Sequence, residues 1–299
     1  VLAAAGIGSD TGGSVLIPAA LNGIVGLKTT IGLLPLDGIL ALSPTFDTIG
    51  PLTHDISDAD AIFSVLNGSP PFDLTGANLK GVRLLKPTDI MFDDLDTQVT
   101  SAINKALDKL SNSGAEIVEG PVPEFPEAIE HVAKHGNIIS AEAYALWNDL
   151  VESRGDEMYW AIRSRFDLAK NLTAIDAESA HLGLKSIAAR FRSRVSGYAA
   201  VLHPTCPRVA PPIAELQDDP NAYDDANLAM TRNTRLGNID IIKDSIPNDA
   251  QHFAFTTTGG LTPATFTLYD DDDGTLSNIQ MFFLPLPLLP PSEKSLKKS

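Results

Sequence analysis

The chain has 299 residues, 43% of them hydrophobic and 20% charged, an ordinary globular composition long enough to bury a sizeable core. Its 38 acidic against 22 basic residues leave a net charge of −16, a field that repels phosphate backbones and argues against nucleic acid as a direct partner. A lone cysteine, Cys206, cannot close an internal disulfide, and the late apolar run at 282–291 is broken by prolines, far short of the ~20 residues of a membrane span.

VLAAAGIGSD has no basic leader and no initiator Met, so it reads as a chain entered midway rather than a signal peptide, and a cytoplasmic location is expected. Residues 1–9 are small and apolar and predict a strand buried on both faces. Residues 14–23 predict a short helix stopped by Gly23, GIVGLKTT (23–30) a second strand, and a loop rich in Gly, Pro and Asp runs to about residue 54. In DISDADAIFSVLNG (55–68), Ser57 and Asp58 offer caps, Ala59, Ile62, Phe63 and Leu66 form an apolar stripe, and Asn67-Gly68 stops the helix. VRLLKP (82–87), the amphipathic run 96–114 and AEIVEG (115–120) read as strand, helix and strand, the alternation of an α/β domain. Residues 124–197 read as mostly helical, 198–205 as a strand and 224–238 as a helix.

After Asn238 the pattern loses any period. In the acidic run 270–273, setting Gly274 at the glycine of a calcium loop puts Tyr269 and Gln280 at the terminal ligand positions, so an EF-hand fails and solvated charge is the reading. Residues 241–299 are expected to be a divergent, poorly packed tail, and no metal or cofactor is expected.

GIGSDTGGSVLIP (6–18) ends a strand, turns on two glycines and brings a serine to the start of a helix. The N–H groups of Thr11, Gly12, Gly13 and Ser14 have no helical partner there and could converge on an anion. Gly13 stands where a P-loop needs lysine, Thr11 where a dinucleotide fingerprint needs a small residue, and Leu16 where a nucleophile elbow needs its second glycine. Two readings remain: a glycine turn capped by serine, and a serine nucleophile with an oxyanion hole of backbone amides.

Over its length, GSDTGGSVLIPAALNGIVGLKTTIGLLPLDGILALSPTFDTIGPL (8–52) resembles the second half of the amidase signature. HPTCPRVAPP (203–212) and NLAMTRNTRLGN (227–238) are similar to later segments of the same family. The resemblance covers most of residues 1–240 and implies an α/β/α sandwich on a large mixed sheet, to which residues 1–120 and 198–210 would contribute strands. The helical stretch 124–197 would lie beside the substrate cleft.

The chemistry it implies is attack by Ser14 on an amide carbonyl, an acyl-serine, and an oxyanion held by the amides of Thr11, Gly12, Gly13 and Ser14. The implied base is a lysine acting through a second serine, both expected before residue 1, so the chain alone is expected to be inactive. Asp10 and Asp47 are candidates for orienting the loop. Lys28 lies in the landmark GLKTT and reads as a solvated charge at a strand end rather than as that lysine. The family commonly carries arginine where this chain has Leu16, and leucine offers none of its donors. His54, His131, His135, His181, His203 and His252 are scattered, none stands out as a base, and His203 reads as packing. The expected partner is a small-molecule amide, with a homodimer possible. The alternatives are a catalytically dead relative and the amidase subunit of a tRNA-dependent amidotransferase.

Overall fold

A computed structural model describes residues 3–238 and the backbone of a strand at 279–283. Its strands fall into two sheets among the described residues, rather than the single sheet expected. The first holds β1 (Ala5–Asp10), β3 (Thr48–Thr53) and β2 (Val25–Gly26) in the order β1-β3-β2, all antiparallel. The second holds β5 (Glu116–Gly120), β4 (Arg83–Pro87) and β6 (Ala200–Pro204) in parallel, with β7 (Ile279–Phe283) antiparallel on β6. No described strand bridges the two.

The second sheet carries the layered core. Successive side chains on a strand face opposite ways, so Leu84, Ala200 and Leu202 pack with Ile103, Leu107 and Leu110 of α3 (Thr97–Asn112). On the other face Leu85 and Val201 pack with Phe125 of α4 (Glu124–His135) and with Ile187 and Phe191 of α7 (Ala174–Val195). This is the α/β/α sandwich. α5 (Ile138–Arg154), α6 (Trp160–Asp167) and α8 (Pro220–Gly237) complete the helical part, and α1 (Leu16–Asn22) and α2 (Ile56–Asn67) flank the first sheet.

Four details depart from expectation. β1 is an edge strand, exposed over most of its length, with Ile7 58% exposed; its small apolar residues have no second surface to pack on among the described residues. β3 lies inside the stretch expected to be loop, because Gly50-Pro51 breaks the strand pattern. Gly50 is there because the Leu27 carbonyl occupies the space a Cβ would take, and the Pro51 carbonyl accepts from the Leu27 N–H at 3.0 Å. The cap of α2 is Asp55, whose carboxylate accepts from the Asp58 N–H, rather than Ser57 or Asp58. The stretch expected as tail supplies β7; otherwise it lies outside the described residues, with the acidic run at 270–273 and His252.

Candidate active site at the glycine loop

Between β1 and α1 the chain turns through residues 11–15, and Ser14 stands exposed in that turn, two residues before the helix. Gly13 takes φ of 122°, a conformation that favours glycine. A Cβ there would lie 2.7 Å from Thr234 Cβ and 2.8 Å from Ile17 Cδ1, so this position excludes every other residue twice over. The Gly13 carbonyl accepts from the Ile17 N–H at 2.8 Å and starts α1.

Asp10, fully buried at the end of β1, organises the turn. Its Oδ1 accepts from the Gly13 N–H and its Oδ2 from the Val15 N–H, each at 2.7 Å. Gly13 therefore differs from the expectation that all four amides stand open, since its N–H is already held by a carboxylate. The amides of Thr11, Gly12 and Ser14 carry no hydrogen bond to a described residue.

A second buried acid braces the loop from the other side. Asp47 Oδ1 accepts from the Thr11 hydroxyl at 2.5 Å, and its Oδ2 accepts from the N–H groups of Leu42 and Ser43 at 2.8 and 2.9 Å. The 41–45 segment is in turn tied to α5: Glu142 accepts from the Ser43 hydroxyl at 2.5 Å and from Thr45, and Trp147 Nε1 donates to the Ala41 carbonyl at 2.8 Å. Leu40, Leu42, Trp147, Leu150, Met158 and Phe166 line an apolar groove along this seam.

The third support comes from the far end of the described chain, where no single residue stands out in the sequence. On α8, the Thr234 hydroxyl donates to the Gly12 carbonyl at 2.7 Å, and Asn238 Nδ2 donates to the Thr11 carbonyl at 3.1 Å. Asn233, fully buried, pins α8 to the second sheet by donating to the Met91 and Pro204 carbonyls at 2.9 and 2.8 Å. α8 thus links the loop at the end of β1 to the second sheet. The segment 227–238 is family-like in sequence, but no local pattern pairs Thr234 with a glycine 222 positions earlier.

Lys28 differs from the solvated charge expected. It is half-buried, its amine donates to the Thr29 carbonyl at 3.2 Å, and burial pushes it down to about 8 while the Asp10 carboxylate pulls the other way. Leu16 is buried, and its N–H lies 3.4 Å from Asp10 Oδ2. No described side chain is hydrogen-bonded to the Ser14 hydroxyl. His203 is fully buried, its Nδ1 lies 2.8 Å from the Pro204 carbonyl, and burial pulls it down to about 4; it sits on β6, in the core of the second sheet. His131 Nε2 faces the Ser179 and Ala180 carbonyls, away from the loop. Burial pushes the Cys206 thiol up to about 12, which leaves it protonated and inert near neutral pH. Among the described residues, no cluster of three or more His, Cys, Asp or Glu could hold a metal, and no helix is long and apolar enough to cross a membrane.

A family model described as Amidase matches residues 1–251. The chain is 29% identical over 237 residues to 2-amino-5-chloromuconic acid deaminase of Comamonas testosteroni, covering 78% of this chain and 50% of the relative. It is 30% identical over 249 residues to a glutamyl-tRNA(Gln) amidotransferase subunit from Desulforamulus reducens, covering 72% and 51%. Among solved structures, a crystal structure of an amidase superposes with a TM-score of 0.64 at 26% identity, over 77% of this chain and 53% of that one. The chain spans about half the length of these curated relatives.

Proposed function

Since the chain belongs to the amidase family, we propose that it is the part of an amide hydrolase that carries the nucleophile, Ser14. The observation that supports this most is the three-sided bracing of the loop, with Asp10 beneath it, Asp47 beside it and Thr234 and Asn238 across it. A glycine turn that merely reversed the chain would need none of this, whereas a nucleophile and its oxyanion donors must be held within a fraction of an ångström.

In this reading Ser14 Oγ attacks the amide carbonyl and its proton passes to a base. The oxyanion forms against the amides of Thr11, Gly12 and Ser14, the donors not given to Asp10. Collapse expels ammonia or an amine, and water then attacks the acyl-serine to release the acid. A serine hydroxyl is a weak nucleophile until a base takes its proton. We assign that task to the lysine and bridging serine that the family resemblance implies, since no described side chain is hydrogen-bonded to the Ser14 hydroxyl. The groove between the 40–42 segment and α5 and α6 is proposed to help select the acyl group, with a small-molecule amide as substrate.

Ammonia release from short aliphatic amides tests this. The 299-residue chain alone should run at background rate. A longer protein that contains it together with the family's lysine and bridging serine should turn over, and Ser14→Ala in that protein should abolish turnover. Turnover by the chain alone that survives Ser14→Ala would remove Ser14 from the mechanism. A catalytically dead relative is the second reading, favoured by the lack of any hydrogen-bond partner for the Ser14 hydroxyl among the described residues; an inactive longer protein would establish it.

A further inference from the structure

The chain is acidic overall, and Arg83, Arg154, Arg163, Arg190 and Arg194 each pair with a carboxylate. Among the described residues Arg235 pairs with none. It lies on α8 next to Thr234, with its side chain against the glycine loop, where a Cβ on Gly12 would be 3.8 Å from its Cγ and 4.0 Å from its Nε. It is half-buried, and its side chain has no hydrogen bond or ion pair among the described residues. Loss of water is the main influence on its guanidinium, and the next is repulsion from Arg165 on α6.

Arg165 itself is held by neutral groups, donating to Asn227 Oδ1 at 2.9 Å and to the Tyr223 hydroxyl at 3.4 Å. Arg235 beside Gly12 thus feels the like charge of Arg165 and has no carboxylate partner among the described residues, in a protein that has 16 more acids than bases. A desolvated, unpaired charge is costly. It is also well fixed, because Asn233, Thr234 and Asn238 lock this stretch of α8 to the loop and to the second sheet.

We infer that Arg235, with Arg165 behind it, is an anion site that receives a carboxylate on the substrate. This rests on the reading of Ser14 as nucleophile and narrows its substrate class to amides that also carry a carboxylate, such as the mono-amide of a dicarboxylic acid. The planar fork of Arg235 matches a carboxylate through two parallel hydrogen bonds. Its position beside Gly12, two residues before Ser14, puts that carboxylate at one end of the substrate while the amide carbonyl meets the loop.

Binding tests this without any need for turnover. Succinamate, its uncharged analogue n-butyramide, which lacks the carboxylate, and inorganic phosphate are titrated calorimetrically into the 299-residue chain and its Arg235→Gln, Arg235→Lys and Ser14→Ala variants. Succinamate should bind at least about tenfold more tightly than n-butyramide, and Arg235→Gln should erase that difference. Arg235→Lys, which keeps the charge and the stem but loses the fork, should retain part of it, and it serves if Arg235→Gln fails to fold. Ser14→Ala should bind succinamate as the parent does. Equal binding of succinamate and n-butyramide, unchanged binding in Arg235→Gln, or phosphate binding as tightly as succinamate would overturn the assignment. If succinamate binds as expected but Ser14→Ala spares turnover in the longer protein, the nucleophile reading falls and the anion site stands. The reverse pair of results removes this inference alone.

Discussion

β1 and β6 are both short strands that end at the glycine loop or its support, yet they are held in opposite ways. β6, AVLHP, is buried at every residue, with Ala200 and Leu202 in one core and Val201 in the other. β1, AGIGSD, is open along most of its length and closes only at Asp10. One strand is fixed by apolar burial along its whole length; the other is fixed mainly at its end, through a carboxylate and the amides it gathers. The difference separates stability from site geometry, since the support under Ser14 is chiefly polar and directional while the mass of the core lies elsewhere.

On this contrast, the largest loss of stability comes from β6. Leu202→Ala should cost about 3 kcal/mol, because the fully buried side chain sits among Ile103, Leu107 and Leu110 and the cavity cannot collapse against packed helices. Urea unfolding measures it. A cost as small as that of an exposed residue would break the comparison. Asp10→Asn should come next, at about 2 kcal/mol, because one carboxylate oxygen becomes an NH2 that faces a backbone N–H instead of accepting from it. It should also perturb the amide resonances of Gly12, Gly13 and Ser14, whereas Leu202→Ala should leave them in place.

Much of the second sheet is legible in the residues, because β4, α3, β5 and α8 carry clean strand or helix periods over five residues or more. The first sheet is less so. β3 hides behind Gly50-Pro51, whose reason is a carbonyl of a neighbouring strand. The exposure of β1 is also unreadable, since small apolar residues say what could be buried but not whether a surface exists to bury it. At the site, the glycine turn and Ser14 can be read from local chemistry. The capture of the Gly13 amide by Asp10 and the reach of Thr234 and Arg235 to Gly12 depend on how distant segments dock. Lys28 eludes the sequence for a related reason: a charge at a strand end looks solvated until the loop that covers it is known.

That lysine gives a pH-dependent prediction of intermediate size. Burial lowers the Lys28 amine from 10.5 to about 8, so the folded chain releases this proton before the unfolded chain does. Between pH 8 and 10.5 the unfolded state binds more protons, and the contribution of this group to unfolding free energy rises with pH; below about pH 8 the penalty for burying the charge is fully present. The stability of the parent relative to Lys28→Met should improve by on the order of 1 kcal/mol across that window, partial exposure screening the rest. A flat difference would mean that the amine is solvated after all. In Asp10→Asn the rise should begin at lower pH, because the carboxylate that favours the charged amine is gone.

The smallest effect should come from β1 itself. Ile7 is 58% exposed and pairs through its backbone with Pro51 on β3. Ile7→Lys removes little buried area and keeps the main-chain hydrogen bonds, so its effect on urea stability should stay within about 0.5 kcal/mol. Solubility should respond more strongly. β1 presents an open edge of small apolar residues, with Ala5, Gly6 and Ile7 exposed, and such an edge is a template for pairing with another chain. A lysine at position 7 adds charge to that edge and should lower the light scattering of concentrated samples. A loss as large as that of Leu202→Ala would show that Ile7 is buried in solution, and the contrast between the two strands would then be void.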